Sequence, residues 1–277
     1  MTELTLGYRA GNSLQPSFLK HSEVEVVAQQ ARSQLLHADA DAMPMDVLRG
    51  ITRLQVNNLK YDLWVDTEHP VTDEDGLPVL GICEFDAGAG VDHAAVSVSP
   101  VGGDITEELV LSTFGHELGH AVFDAPGWIH AAAAGPGLFD VPAGRARAYR
   151  SITRDVAHLG SDAAQDFLSV TMNRGRQNAL RFAELRANEF MGALLVPRDR
   201  LVHAITELAP IYDVNLEYAG LASGALAGQP TLRAAGKLGL ADMEYLQKAI
   251  GVCFGVHGRF IRVRMQRYGL LGGDPAN

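Results

Sequence analysis

The sequence contains only two cysteines, Cys83 and Cys253, and they form neither a CxxC pair nor part of a Cys/His cluster. This scarcity argues against a disulfide framework and against a structural zinc knuckle. No apolar run approaches the roughly 20 residues that a membrane-spanning helix needs, and the first residues lack the basic and then apolar layout of a secretion signal. We therefore expect a cytoplasmic protein that does not enter a membrane.

Positive charge is also scarce. The 277 residues include 23 Lys and Arg against 33 Asp and Glu, which gives a formal net charge of -10. This balance disfavours nucleic-acid binding over the whole surface, although a local basic patch is compatible with it. The 47% hydrophobic and 20% charged content is typical of a globular protein with a substantial core.

Apolar periodicity predicts an α+β fold. Short β-rich runs at 61–65, 77–85 and 93–99 predict a small antiparallel sheet. The third run reads as an edge strand because Pro100 follows it, and near Val96 it offers a place for an extended substrate to pair. The spacing of apolar residues predicts helices at 23–37, 44–59, 161–172 and 175–195, weak helical structure at 205–240, and two helices within 242–271.

An HExxH motif, His116-Glu117-Leu118-Gly119-His120, lies in an apolar segment with helical spacing. The four-residue step places both imidazoles on one face of the helix, where they can bind one ion. Zinc accepts imidazole nitrogen and lowers the pKa of bound water toward neutrality. Glu117 can then take a proton from that water as it attacks a carbonyl. We interpret Gly119 as leaving space beside the metal.

HExxH alone is weak evidence, because it arises by chance in on the order of one chain in a hundred. A third ligand elsewhere in the sequence would provide a second, independent indication of a metal site. Glu184 and Asn188 lie one turn apart on the helix predicted at 175–195. Glu184 would complete a His₂Glu site, and Asn188 would orient a ligand side chain by a hydrogen bond. Glu189 is a competing ligand, but it is rotated by about 140° from Glu184 around the helix axis.

Other arrangements are weaker. A metzincin site needs HExxHxxGxxH, whereas Phe123 and Pro126 occupy the Gly and His positions. His130 remains open as a ligand or a surface residue, and Asp124 as a helix cap or an outer support of the site. A stabiliser of the oxyanion is also left open among Tyr149, His158 and Tyr212.

These residues resemble the ImmA/IrrE-type family of metallopeptidases. The resemblance rests on HELGH at 116–120, ELRANEFMGALLVP at 184–197, the start of a helix at 44–47, and the tail at 254–271. It implies a zincin-like, zinc-dependent intracellular endopeptidase that cleaves a repressor protein, and a helix-turn-helix-like ending. Arg186 stands where the family has a second glutamate, which removes a carboxylate from the neighbourhood of the metal.

We therefore predict a zincin-like metallopeptidase domain at 1–200 and a helical C-terminal region at 201–277. Residues 131–174 lengthen the interval between the two metal motifs and form either a lid or an inert surface insertion.

Two rival functions remain open. One is a regulator that binds the metal but does not cleave, and the intact Glu117 disfavours it because a structural site needs no base. The other is a DNA-binding regulator that acts through a basic C-terminal helix. That helix would carry Arg259, Arg262, Arg264 and Arg267.

Overall fold

A computed structural model describes residues 2–16, 18–90, 92–134, 145–151, 174–218, 230–233 and 236–271. The fold is α+β, as predicted. The chain divides into a first unit of residues 1–38 and 44–194 and a second unit of residues 39–43 and 195–277. Among the described residues, no helix is both long enough and apolar enough to cross a membrane.

The first unit contains the sheet and the helices that surround it. Its helices are α1 (His21–Leu35), α2 (Met45–Arg49), α3 (Glu107–Phe123), α4 (Ala125–Ala133) and α5 (Arg174–Leu195). Its strands are β1 (Thr2–Leu6), β2 (Ile51–Val56), β3 (Leu59–Asp66), β4 (Val71–Thr72), β5 (Pro78–Asp86), β6 (His93–Val98) and β7 (Arg145–Ser151).

The sheet is mixed, so the prediction of a small antiparallel sheet is wrong for two of the six strand pairs and correct for the other four. Strands follow the order β1-β2-β3-β6-β5-β4, and β7 also pairs with β5. The pairs β1 with β2 and β3 with β6 are parallel, and the other pairs are antiparallel. Parallel neighbours need long connections. Here α1 and α2 connect the first pair, while β4 and β5 lie between the second pair along the chain.

The prediction that β6 is an edge strand is also wrong. This strand lies between β3 and β5 and pairs with both along residues 93–98. Pro100 lies two residues beyond Val98, the last residue of the strand, so its missing N–H removes nothing from the ladder. An extended substrate therefore cannot pair with β6 at Val96.

The predicted helix at 44–59 is a short helix followed by a strand. Helix α2 ends at Arg49, and Ile51 begins β2. Asn57 has φ 54°, in the left-handed region that asparagine tolerates, and this allows a tight turn into β3. Ile51, Leu54 and Val56 are buried, and their spacing does not by itself separate a helix from a strand.

Helix α3 packs against β5 and β6, and every residue from Val110 to Phe123 is buried. The helix approaches the sheet closely at Gly81, where an added Cβ would lie 2.6 Å from Thr113 Cγ2 and 3.0 Å from Glu117 Cγ. Two tyrosine hydroxyls donate to carbonyls of its last turn. The hydroxyl oxygen of Tyr61 lies 2.6 Å from the carbonyl oxygen of residue 121, and the hydroxyl oxygen of Tyr8 lies 3.1 Å from the carbonyl oxygen of residue 122. These bonds satisfy carbonyls that a helix leaves without intrahelical partners.

The second unit contains two antiparallel strands between helices, so the weak helical prediction for 205–240 is wrong at 215–218 and 230–233. Residues 219–229 lie outside the described residues. The two helices predicted within 242–271 are present. The elements are α6 (Arg198–Leu208), a 3-10 turn (Ala209–Tyr212), β8 (Asn215–Tyr218), β9 (Pro230–Arg233), α7 (Gly236–Phe254) and α8 (Gly258–Arg267).

The predicted insertion at 131–174 is described only in part. Its residues 145–151 form β7, which pairs with β5 in the sheet. Residues 135–144 and 152–173 lie outside the described residues, and so does the helix predicted at 161–172.

Candidate metal centre

The two histidines of the HExxH motif project from one face of α3 toward a common point. The Nε2 atoms of His116 and His120 lie 3.1 Å apart. Both side chains are buried, because the helix that carries them is enclosed by its neighbours. The four-residue step along α3 therefore brings two imidazole nitrogens together, as the helical period requires.

Glu184 reaches the same point from α5. Its Oε2 lies 3.4 Å from His116 Nε2, and its Oε1 lies 3.4 Å from His120 Nε2. The ligand atoms of the three residues all lie within 4.8 Å of one another, so the group could hold a metal ion. The Glu184 side chain remains 43% exposed, which leaves the centre open on that side.

These separations fit zinc. Ligand atoms about 2.0–2.1 Å from a tetrahedrally coordinated ion stand about 3.3 Å apart. The observed separations of 3.1 Å between the nitrogens and 3.4 Å from each nitrogen to the carboxylate agree with that value. Two imidazoles and one carboxylate also form a donor set that zinc accepts, with a fourth position left for water.

The outer nitrogens of the two rings are held by different partners. His116 Nδ1 lies 3.2 Å from Asn188 Oδ1, and His120 Nδ1 lies 2.7 Å from Asp124 Oδ2. Both partners accept hydrogen bonds, so each neutral ring carries its proton on Nδ1 and turns the Nε2 lone pair inward. Two lone pairs that face each other repel unless a cation lies between them, so this arrangement calls for a metal ion or a proton at that point.

Arg186 anchors the carboxylate that holds His120. Its Nη2 donates to Asp124 Oδ1 at 2.8 Å, and the two side chains are largely buried. The chain Arg186–Asp124–His120 thus runs from α5 back to α3. The sequence left Asp124 open between a helix cap and an outer support, and the structure shows the contact of a support. The partner of Arg186 could not be inferred from spacing, because the two residues are 62 positions apart.

The charges around His120 favour positive charge at the centre. Burial alone would lower the pKa of His120, but hydrogen bonds and negative charge from Asp124 and Glu184 outweigh burial and raise the pKa to about 10. Burial would raise the pKa of Glu184, yet its contacts with His116 and His120 hold that pKa well below its usual range. The negative charge of Asp124 and Glu184 would equally stabilise a divalent cation bound by the two imidazoles.

Helices α3 and α5 approach each other closely at Gly119. A Cβ at that position would lie 2.9 Å from the Cα of Ala187 and 3.2 Å from its carbonyl oxygen. Gly119 therefore makes room for the backbone of α5, which corrects the interpretation that it leaves space beside the metal. This close approach places Glu184 within reach of the two histidines.

Replacing Gly119 with alanine is expected to weaken zinc binding about 10- to 100-fold, because α5 must move away and take Glu184 with it. The overpacking should also lower the free energy of unfolding by about 1–3 kcal/mol. Competition with a chromophoric chelator measures the affinity. Gly102→Ala is the control, because nothing lies within 4 Å of its added Cβ. Equal affinity of the two variants would contradict the packing argument.

The outer contacts of the two histidines should differ in strength. Asp124→Ala is expected to reduce zinc affinity more than Asn188→Ala, because the Asp124 contact is shorter and charged. Losses of about 10- to 100-fold are typical of such partners. Chelator competition compares the two variants with Asn215→Ala, an exposed asparagine of the second unit. The ranking would be refuted if Asn188→Ala caused the larger loss.

Glu117, the predicted base, lies between the two histidines in sequence and is completely buried. Its side chain lies against β5 at Gly81. Its negative charge is the second cause, after burial, of the raised pKa of the Cys83 thiol on the same strand. The carboxylate is therefore fixed by the packing of α3 on the sheet.

The other candidate residues lie elsewhere or cannot be placed. Glu189 is buried and is not part of the His-His-Glu group, and His130 is exposed on α4. Tyr149 stands opposite Ile82 in the sheet register, Tyr212 belongs to the second unit, and His158 lies outside the described residues. An oxyanion stabiliser is therefore not assigned.

Comparison of the chain with models of protein families, with curated proteins and with solved structures finds no match. The geometry of the centre and the sequence motifs thus carry the functional argument alone.

Proposed function

We propose that this chain is a zinc-dependent metallopeptidase of zincin-like fold, with His116, His120 and Glu184 as the metal ligands. The observation that carries the proposal is the convergence of three donor atoms at separations that suit tetrahedral zinc. A His₂Glu set with an open fourth position is typical of catalytic rather than structural zinc.

Zinc bound there would supply a water molecule of lowered pKa and would polarise the carbonyl of a peptide bond. Glu117 acts as the base, because it is next to a ligand on the same helix and is buried among apolar residues. It accepts a proton from the attacking water and passes it to the leaving amine. A centre that only stabilised the fold would not require this buried carboxylate.

The two sides of the centre have different roles. The buried histidines and the largely buried Asp124 form the closed side. Glu184 lies on the open side, from which water and a peptide reach the metal. Because β6 is flanked by two strands, the substrate does not extend the sheet at that strand.

The substrate class is an intracellular regulatory protein, such as a repressor, and the reaction is cleavage of an internal peptide bond. This part of the proposal rests on the resemblance of the HELGH and ELRANEF segments to the ImmA/IrrE-type family. The regulator that binds zinc without cleaving is the rival, and a cleavage assay separates the two.

The test is incubation of the full-length protein with a peptide library of mixed sequence, in the presence of zinc and after treatment with a chelator. Mass spectrometry should detect new internal termini that require zinc and that disappear with the chelator. Stoichiometric zinc binding without any cleavage would support the non-cleaving regulator. Cleavage that survives complete removal of the metal would refute the proposed mechanism.

A further inference from the structure

Helices α7 and α8 form a tightly packed pair with a short turn between them. Helix α7 ends at Phe254 and α8 begins at Gly258. Gly255 has φ 68°, in the left-handed region that glycine adopts without strain. The His257 side chain then caps α8 by accepting a hydrogen bond from the N–H of Arg259 at 3.2 Å. The turn therefore ends one helix and starts the next within three residues.

The two helices are in close contact at two glycines. A Cβ at Gly251 would lie 2.5 Å from the carbonyl oxygen of Val256, and one at Gly258 would lie 3.2 Å from the backbone nitrogen of Lys248. Val256 and Ile261 are buried beneath the turn. A small residue in the first helix, a glycine four residues later and buried aliphatic residues on both sides of the turn are features of a helix-turn-helix.

One face of α8 is exposed along its whole length. The exposed residues of α8 follow one another at alternating intervals of three positions and one position, so they lie on one side of the helix. The opposite face is buried, and Arg264 belongs to it, with its guanidinium 4.4 Å from the centre of the Tyr268 ring. The exposed face consists of Arg259, Arg262, Val263, Gln266 and Arg267.

Charge is concentrated in this part of an acidic chain. Residues 236–271 contain six basic and two acidic residues, a net charge of +4, whereas the whole chain carries -10. Helix α8 itself contains four arginines and no acidic residue. Glu244 of α7 lies in the field of Arg259 and Arg262, and it pairs with Lys248 at 2.9 Å.

We propose that α8 is a DNA-recognition helix and that its exposed face enters the major groove of duplex DNA. The major groove, about 12 Å wide, admits one α-helix, and arginine contacts both phosphates and guanine edges. Gln266 supplies an amide of the kind that pairs with adenine. In a helix-turn-helix, the second helix is the one that reads the groove.

Other partners fit this face less well. A helix that lies on a membrane needs large apolar side chains on its buried side, and Val263 is the single apolar residue on the exposed face of α8. An acidic peptide would use the charge, but it would not require the fixed projection of a second helix from a helix-turn-helix. This inference is independent of hydrolysis at the metal centre.

The test is fluorescence anisotropy of the full-length protein with a labelled duplex of mixed sequence, about 30 base pairs or three helical turns long. Binding is expected at about 50 mM salt and should weaken steeply toward about 200 mM. The variant with Arg259, Arg262 and Arg267 replaced by Gln should bind at least about 10-fold more weakly. Its salt slope should be smaller by roughly 2–3, because about three phosphate contacts are lost.

A matched control changes the charge equally outside α8. It replaces Arg49, Arg53 and Arg233, three exposed arginines in surface ion pairs, with Gln and should bind as the wild type does. Absence of wild-type binding at low salt, or equal weakening in both triple variants, would overturn the proposal. So would binding to vesicles of phosphatidylcholine and phosphatidylserine, or to polyglutamate, without binding to the duplex. If the α8 triple variant loses its circular dichroism signal, the single variant Arg262→Gln replaces it in the test. The salt slope of its duplex binding should then be smaller by about 1.

Discussion

Replacing Glu117 with glutamine is expected to lower the rate of peptide hydrolysis by about 10²- to 10⁴-fold, because a general base contributes a factor of that size. Glutamine keeps the shape of the side chain, so its packing against β5 at Gly81 should be preserved. Zinc content should not change, because Glu117 is not in the His-His-Glu group. The measurement pairs elemental analysis with the cleavage rate of one peptide identified from the library.

The control for this experiment is Glu189→Gln, the same chemical change at another buried glutamate. It should retain both zinc and activity if it folds, which circular dichroism verifies. Loss of zinc together with activity in Glu117→Gln would instead make Glu117 a ligand. Full activity in that variant would exclude it as the base.

Replacing either His116 or His120 with alanine should abolish zinc binding, and hydrolysis should be lost with it. Each imidazole supplies one of three protein donors, and the two that remain do not hold the ion against a chelator. Glu184→Gln should cause nearly the same loss, because the carboxylate lies 3.4 Å from both imidazole nitrogens. Zinc content after dialysis against a chelator is the measurement.

His130→Ala is the matched control, because this histidine is exposed on α4 and lies outside the metal group. It should bind zinc as the wild type does. Unchanged zinc content in the His116 or His120 variant would remove these residues from the site. Loss of zinc in the His130 variant would require a different ligand set.

The sequence predicts the centre of the site because helical spacing is a local property. The four-residue steps from His116 to His120 and from Glu184 to Asn188 each place two side chains on one face. The structure brings the two faces together and gives each histidine a partner on its outer nitrogen. The choice of Glu184 over Glu189 follows from the same helical geometry.

The parts that could not be predicted depend on contacts between distant segments. Tyr8 donates to the carbonyl of Val122 across 114 residues, and nothing near either position indicates this bond. The same holds for the ion pair between Asp124 and Arg186. Gly119 was misinterpreted because a missing side chain does not reveal which neighbour it makes room for, and that neighbour is Ala187.

The errors in the sheet have a similar cause. Apolar alternation predicts that a segment is a strand, but it does not specify the neighbours of that strand. Strand β1 pairs in parallel with β2, from which it is separated in the chain by α1 and α2, and β6 is enclosed by β3 and β5. The prediction of one helix at 44–59 was wrong because the spacing of Ile51 and Leu54 is compatible with the buried face of either a helix or a strand.

Titration of zinc into the metal-free protein, with bound metal and peptide hydrolysis measured on the same samples, tests the central claim most directly. Both signals should rise together and reach a plateau at about one zinc ion per chain. Glu117→Gln should reach the same plateau of bound metal with hydrolysis near zero. Zinc that saturates the wild-type protein without producing any hydrolysis, or hydrolysis that precedes zinc binding, would contradict the claim.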